Sequence, residues 1–100
     1  MAVWEISQIT VADDARVDFE SAVQASLPAL AMAEGCLDVR LLRAVDSGGL
    51  FMLCILWESI EHHTEIFTKT ETFAKLGAAI TPFVTAPAVM FHAAVIIDGF

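Results

Sequence analysis

The side chains that could do chemistry here form a short inventory: Trp4, Arg40, Cys54, Trp57, Glu58, His62, His63 and His92, with no tyrosine anywhere in the chain. His62 and His63 are adjacent in a segment with helical spacing, so they point about 100° apart and at most one can face a pocket squarely. A histidine so placed can take a proton from a phenol or an acidic C–H near neutral pH. The plainer alternative is an imidazole at the core edge or in solvent. His92 interrupts the apolar run VMFHAAVII and is either a hydrogen-bonded core residue or a group that orients a substrate. Trp57 ends the most apolar stretch of the chain. It is either core or a flat wall for a planar substrate. Arg40 sits two residues from Asp38, so it either forms a surface ion pair or orients an anionic substrate.

Other chemistries lack their residues. The sequence has no G-x-S-x-G, P-loop, GxGxxG, HExxH or CxxC motif. Three histidines with only distant carboxylates do not make a metal site. Cys36 and Cys54 fall in strand-like runs and read as buried thiols in a reducing compartment. The formal net charge of −8 disfavours nucleic acid and anionic membranes, both of which call for clustered cations. No stretch approaches the roughly 18 unbroken apolar residues of a membrane span. The opening MAVWEISQIT has neither a basic region nor an apolar signal core, so a cytoplasmic protein is expected.

The elements that must position these side chains centre on Leu50–Ser59, LFMLCILWES. The run from Phe51 to Trp57 is wholly apolar, short and sharply bounded, which is a strand pattern. Both of its faces are apolar, so it must be covered from both sides. Before it, residues 2–11 read as a first strand carrying Trp4, Ile6 and Ile9. Ala12-Asp13-Asp14 offers a helix start. Phe19, Ala22/Val23, Leu27 and Leu30 recur at helical spacing, with Pro28 expected to kink or end the helix and Gly35 to close the segment. Residues 36–45 form a second strand, joined by Asp46-Ser47-Gly48-Gly49 to the third in a hairpin. An even loop puts Arg40 on the face of Trp57, and an odd one puts it on the opposite face. Ser59 is a natural cap for the next helix, which should break near Thr68-Lys69-Thr70 and resume from Thr70 to Pro82 through Phe73, Leu76 and Ile80. Residues 89–97 form a fourth strand.

The order strand, helix, strand, strand, helix, strand is a ferredoxin-like α+β arrangement, one domain over residues 1–100. Two helices cover one face of a four-stranded antiparallel sheet. The other face is apolar and does not stay bare in water. With 57% hydrophobic residues and a mean hydropathy of +0.68, the expected cover is a second copy of the chain, giving a homodimer.

The segment GCLDVRLLRAVDSGGLFMLCILWESIEHHTEIF, followed by TETFAKL and PFVTAPAV, resembles the antibiotic-biosynthesis monooxygenase family over roughly residues 15–92. The matching features are Gly35-Cys36-Leu37 opening a strand, a hairpin, Trp57-Glu58-Ser59 ending the next strand, and a following helix with histidine. The resemblance implies a dimeric α+β barrel with an apolar cavity in each subunit. It also implies a monooxygenase that oxidises a small aromatic or quinol-type substrate with O₂, using neither metal nor flavin. On that reading His62 or His63 is the base, Trp57 a cavity wall, and Arg40 or His92 an orienting group. Relatives that degrade heme carry an Asn, a second Trp and a later His where this chain has Ser7, Ile66 and Leu76 or Gly77, so heme degradation is not expected. Two other readings stand beside it: a non-catalytic dimer that binds a small apolar ligand, and an isomerase of the same fold.

Overall fold

The computed structural model describes residues 1–100. The chain runs through β1 (Val3–Thr10), α1 (Arg16–Ala31), β2 (Cys36–Arg43), β3 (Leu50–Trp57), a π-helical turn (His62–Ile66), a 3₁₀ turn (Phe67–Lys69), α2 (Glu71–Ile80) and β4 (Val89–Ala93). The strands form one antiparallel sheet in the order β2-β3-β1-β4. This is the ferredoxin-like arrangement, with the helices on one face and the other face open.

β3 sits centrally because it is the strand that can be buried on both faces. Its helix-side residues Phe51, Leu53, Ile55 and Trp57 are all buried, packed under Phe19, Val23 and Leu30 of α1, Phe67 and Leu76. α1 runs through Pro28 to Ala31 rather than kinking or stopping. A proline frees the carbonyl four residues back. Here that carbonyl belongs to exposed Gln24, where water can satisfy it, and buried Leu30 holds the last turn down. Neither Asp13 nor Asp14 caps the helix through its side chain; a single 3₁₀ turn, closed by Ala15 N donating to Ala12 O at 3.0 Å, leads in instead.

The break before α2 falls where expected. Thr70 is extended, and its Oγ1 accepts from Phe73 N at 3.2 Å, which restarts the helix. β4 is shorter than its apolar run. Ala93 pairs with Trp4 near the start of β1, so the residues beyond have no strand to bond to. The β2–β3 register leaves an odd-numbered connection, residues 45–49, beyond the Ala44 N to Leu50 O bond of 2.9 Å. That parity sets Arg40 opposite Cys54, on the open face with Ile6, Met52 and Leu56.

Candidate active site

Strand pairing creates the site. Glu5 of β1 lies opposite Ile55 on one side and opposite His92 of β4 on the other. Trp57, one step diagonal to Glu5, pairs with Val3. All of these side chains face the helices. The π turn that follows β3 then swings His63 back over Trp57, with the two rings stacked 5.8 Å apart at 15°. A π turn, closed by i→i+5 bonds and so wider than an α-helical turn, is rare and frequently found at functional sites.

Glu5, Trp57 and His63 form one buried polar cluster, with half-buried His92 at its edge. Trp57 Nε1–H donates to Glu5 Oε1 at 2.9 Å. His63 Nε2 lies 3.4 Å from the same oxygen. His63 Nδ1 and His92 Nε2 share a hydrogen bond of 2.7 Å. Trp57 is fully buried, His63 is 4% exposed and Glu5 is 9% exposed. Burial pushes the Glu5 carboxyl above the usual carboxylate range, against the opposing pull of the Trp57 hydrogen bond and of His92. Burial also pushes His63 below the usual imidazole range, and His92 adds to that shift. Both shifts disfavour the charged form, so Glu5 and His63 are not a fixed ion pair, and a carboxylate at Glu5 is a stronger base than one in water.

Glu5 also lines a cavity of about 310 Å³ between the sheet and α2. Its walls are mostly apolar, from Ile9 and Leu53 of the sheet to Phe73, Leu76 and Ile80 of α2, with Ser7 and Thr81 adding hydroxyls. Glu5 is the one ionisable group among its lining residues, and no Lys or Arg is there. A larger groove of about 470 Å³ lies between α1 and β2. Its only charged residues are Glu20 and Arg43, a half-exposed pair at 3.5 Å, so it offers no buried group to act on a ligand.

The five residues singled out by sequence are thus divided by the fold. His63, His92 and Trp57 come together. Trp57, being fully buried, touches Glu5, His63 and Phe67 rather than the cavity. Arg40 does not join them. Its side chain is 66% exposed on the open face, bonded to Asp38 at 3.0 Å. His62 does not join them either. Its Nδ1 is 2.7 Å from Ser59 Oγ, and its Nε2 is 3.4 Å from Glu58. The residue that sequence reading passed over is Glu5. Its signal was a carboxylate flanked by Val3, Trp4 and Ile6 near the start of a strand, a position that needs a partner if that face is buried.

A ferredoxin-like domain with a buried carboxyl–imidazole cluster behind an apolar cavity is the class these features define. The family model for antibiotic biosynthesis monooxygenases matches residues 3–79, and the chain belongs to that family. Among solved structures, a candidate antibiotic biosynthesis monooxygenase from Bordetella bronchiseptica superposes with a TM-score of 0.91 at 24% identity, covering 96% of this chain and 98% of that one. A second candidate of the same description, from Caulobacter crescentus, gives 0.83 at 20% identity over 96% and 91%. SnoaB, a cofactor-independent oxygenase from Streptomyces nogalater, gives 0.82 at 17% identity over 98% and 96%. No curated protein matches the sequence. At these identities the likeness of the structures carries the fold. No helix is long and apolar enough to cross a membrane.

Proposed function

We propose that this protein is a cofactor-independent monooxygenase acting on a small hydroxylated aromatic or quinol-type substrate. The observation that carries this reading is the chain Glu5–His63–His92, which begins at the wall of an apolar cavity and leads away from it to the half-buried His92. An electron-rich phenol or anthrone that loses a proton becomes a carbanion-like reductant able to react with O₂ directly. For an anthrone-type ring, CH₂ and O₂ become C=O and H₂O, and the substrate supplies all four electrons. The protein then has three tasks: to take a proton, to keep water out and to hold the ring. A carboxyl whose proton affinity is raised toward neutral pH suits the first task. In this scheme the substrate proton passes to Glu5, and His63 and His92 relay it away. The SnoaB likeness lends support at the level of fold alone.

The proposal includes a homodimer. Trp4, Ile6, Met52, Leu56 and Phe91 lie on the open face, a patch of the kind that marks an interface. A second copy packed there encloses a barrel. Light scattering at micromolar concentration tests this, and a monomer would overturn it.

Oxygen uptake with anthrone, 1,4-dihydroxynaphthalene and hydroquinone, without added cofactor, tests the activity. Uptake above buffer that falls in Glu5→Gln and His63→Ala is the expected result; none across the panel sinks the proposal. The same relay could return a proton to a different carbon, which favours an isomerase as the second reading. Turnover under nitrogen separates the two. Binding with neither oxygen uptake nor proton exchange would leave a ligand carrier.

A further inference from the structure

Gly77 sits in the interior of α2, a full turn from the helix end. Glycine there is unfavourable for the helix compared with alanine. Two glycines outside the helices are explained by backbone. Gly35 and Gly49 have φ of +80° and +77°, and an added Cβ at either would strike a neighbour. Gly77 has neither reason: its φ is not positive, and a Cβ there would meet nothing within 4 Å. Yet Gly77 is part of the cavity wall, across from Glu5 and between Phe73 and Thr81 on the same helix face. A side chain there would have open space before it, on a helix segment that borders the cavity.

We infer that Gly77 is the specificity-determining residue of this cavity, keeping open the strip of α2 over which a flat, uncharged aromatic ligand lies with its hydroxyl on Glu5. Three observations converge on this. The helix bears an unfavourable residue with no packing or backbone cause. The vacated space adjoins the one buried carboxyl of the wall. The contacts from Trp57 and His63 both fall on Oε1, and the Ser7 hydroxyl, itself in the cavity wall, is the further polar neighbour of the carboxyl, so a ligand hydroxyl has two polar groups to meet here. The charge class follows from the wall. With a carboxyl present and no Lys or Arg to offset it, a ligand carboxylate would be buried without a partner, which is costly. A volume of about 310 Å³ lies at the small end of ligand pockets, suited to a few fused rings and too small for a heme.

This inference rests on the cavity being the ligand site, and the experiment separates the two claims. Calorimetry measures 2-naphthol and 6-hydroxy-2-naphthoate binding to the full-length wild type, Gly77→Ala and Gly77→Leu, alongside thermal melting. Expected are binding of 2-naphthol by wild type, at least tenfold weaker binding of the carboxylated analogue, a raised melting temperature in Gly77→Ala, and at least tenfold loss of 2-naphthol affinity in Gly77→Leu. If wild type binds 2-naphthol but Gly77→Leu binds it equally well, the role of Gly77 is overturned and the ligand site stands. If Gly77→Ala melts below wild type, the glycine is structural and the inference falls without regard to ligand. If wild type binds neither compound, the ligand-site reading itself fails and takes the inference with it.

Discussion

Two histidines adjacent in sequence occupy unlike environments. His62 lies at the surface end of the π turn, bonded to Ser59 and near Glu58 and Glu34, with its ring against Gly35. His63 lies inside, stacked on Trp57 and placed between Glu5 and His92. Residue type is the same, and so is local sequence. What differs is desolvation. The surroundings of His63 are dry enough to lower its proton affinity, while His62 sits at the partly exposed edge beside Glu58 and Glu34. The inner cluster of Glu5, His63 and His92 is where the proposed proton transfer is assigned. A partly exposed imidazole with acidic neighbours is a fastening between β3 and the end of α1.

The sharpest way to break this comparison is His63→Ala. Removing a positioned proton carrier should lower the rate by on the order of 10²–10⁴-fold and flatten the pH–rate profile. If the rate and profile are unchanged, the inner histidine is merely core. Trp57→Phe comes next. Phenylalanine keeps most of the ring packing but removes the Nε1–H that holds Glu5 Oε1. Loss of that buried bond should cost about 1–3 kcal/mol of stability. The rate should fall by on the order of ten- to a hundredfold through a misplaced carboxyl, seen in kcat more than in KM. A loss of stability with no change in kcat would mean the indole only packs.

How much of this was legible beforehand depends on what each inference needed. The apolar run of β3 identifies itself, because few segments other than a doubly buried strand are apolar on both faces. Thr70 as a restart and the hairpin glycines follow from local backbone chemistry. The site needed more. β1 carries Trp4 and Ile6 on one face and Val3 and Ile9 on the other, so period-two alternation alone does not say which face is buried. Pairing with β3 and β4 settles it, in favour of the face that carries Glu5. The position of Arg40 turned on the parity of one loop. The choice between His62 and His63 turned on a π turn that simple helical spacing does not anticipate.

Glu5→Gln sharpens the inner half of the comparison through pH. The folded carboxyl has a raised pKa, so its contribution to stability is full below the unfolded value and is lost as pH rises through the folded value. The folded His63 has a lowered pKa, so its contribution is full above the unfolded value and is lost as pH falls through the folded one. The two therefore pull in opposite directions between the acid and neutral ranges. Glutamine keeps the shape and an acceptor for Trp57 but cannot ionise. Relative to wild type, the variant should gain stability as pH rises from about 4 to 8. Paired melting curves at several pH values check this; a constant difference would mean that Glu5 titrates as it does in the unfolded chain.

On the outer side, Gly35→Ala attacks the fastening. Gly35 has a left-handed φ of +80°, and its added Cβ would overlap the His62 ring. The backbone cost alone is about 1–2 kcal/mol, and the ring must also move. Stability should fall, read as a lower denaturation midpoint, while oxygen uptake by the folded fraction stays near the wild-type level. A rate loss as large as that of His63→Ala would show that the outer contact controls the inner one.

The smallest effect should come from His62→Ala. The side chain is 23% exposed, and its carboxylate partners are well exposed, so ion pairing there contributes about 0–1 kcal/mol. The Ser59 hydroxyl loses its imidazole partner but still accepts from His62 N at 3.4 Å, a bond the substitution leaves in place. Rate and pH profile should match wild type within about twofold, since nothing connects this imidazole to the cavity. The double variant Gly35→Ala/His62→Ala gives the sharper test. If the outer histidine matters mainly by occupying space above Gly35, removing its ring should recover part of the stability lost in Gly35→Ala, because the steric part of the cost disappears and only the backbone part remains. Strict additivity would mean that the ring already yields freely, and that the first of the two adjacent histidines is a bystander in both folding and chemistry.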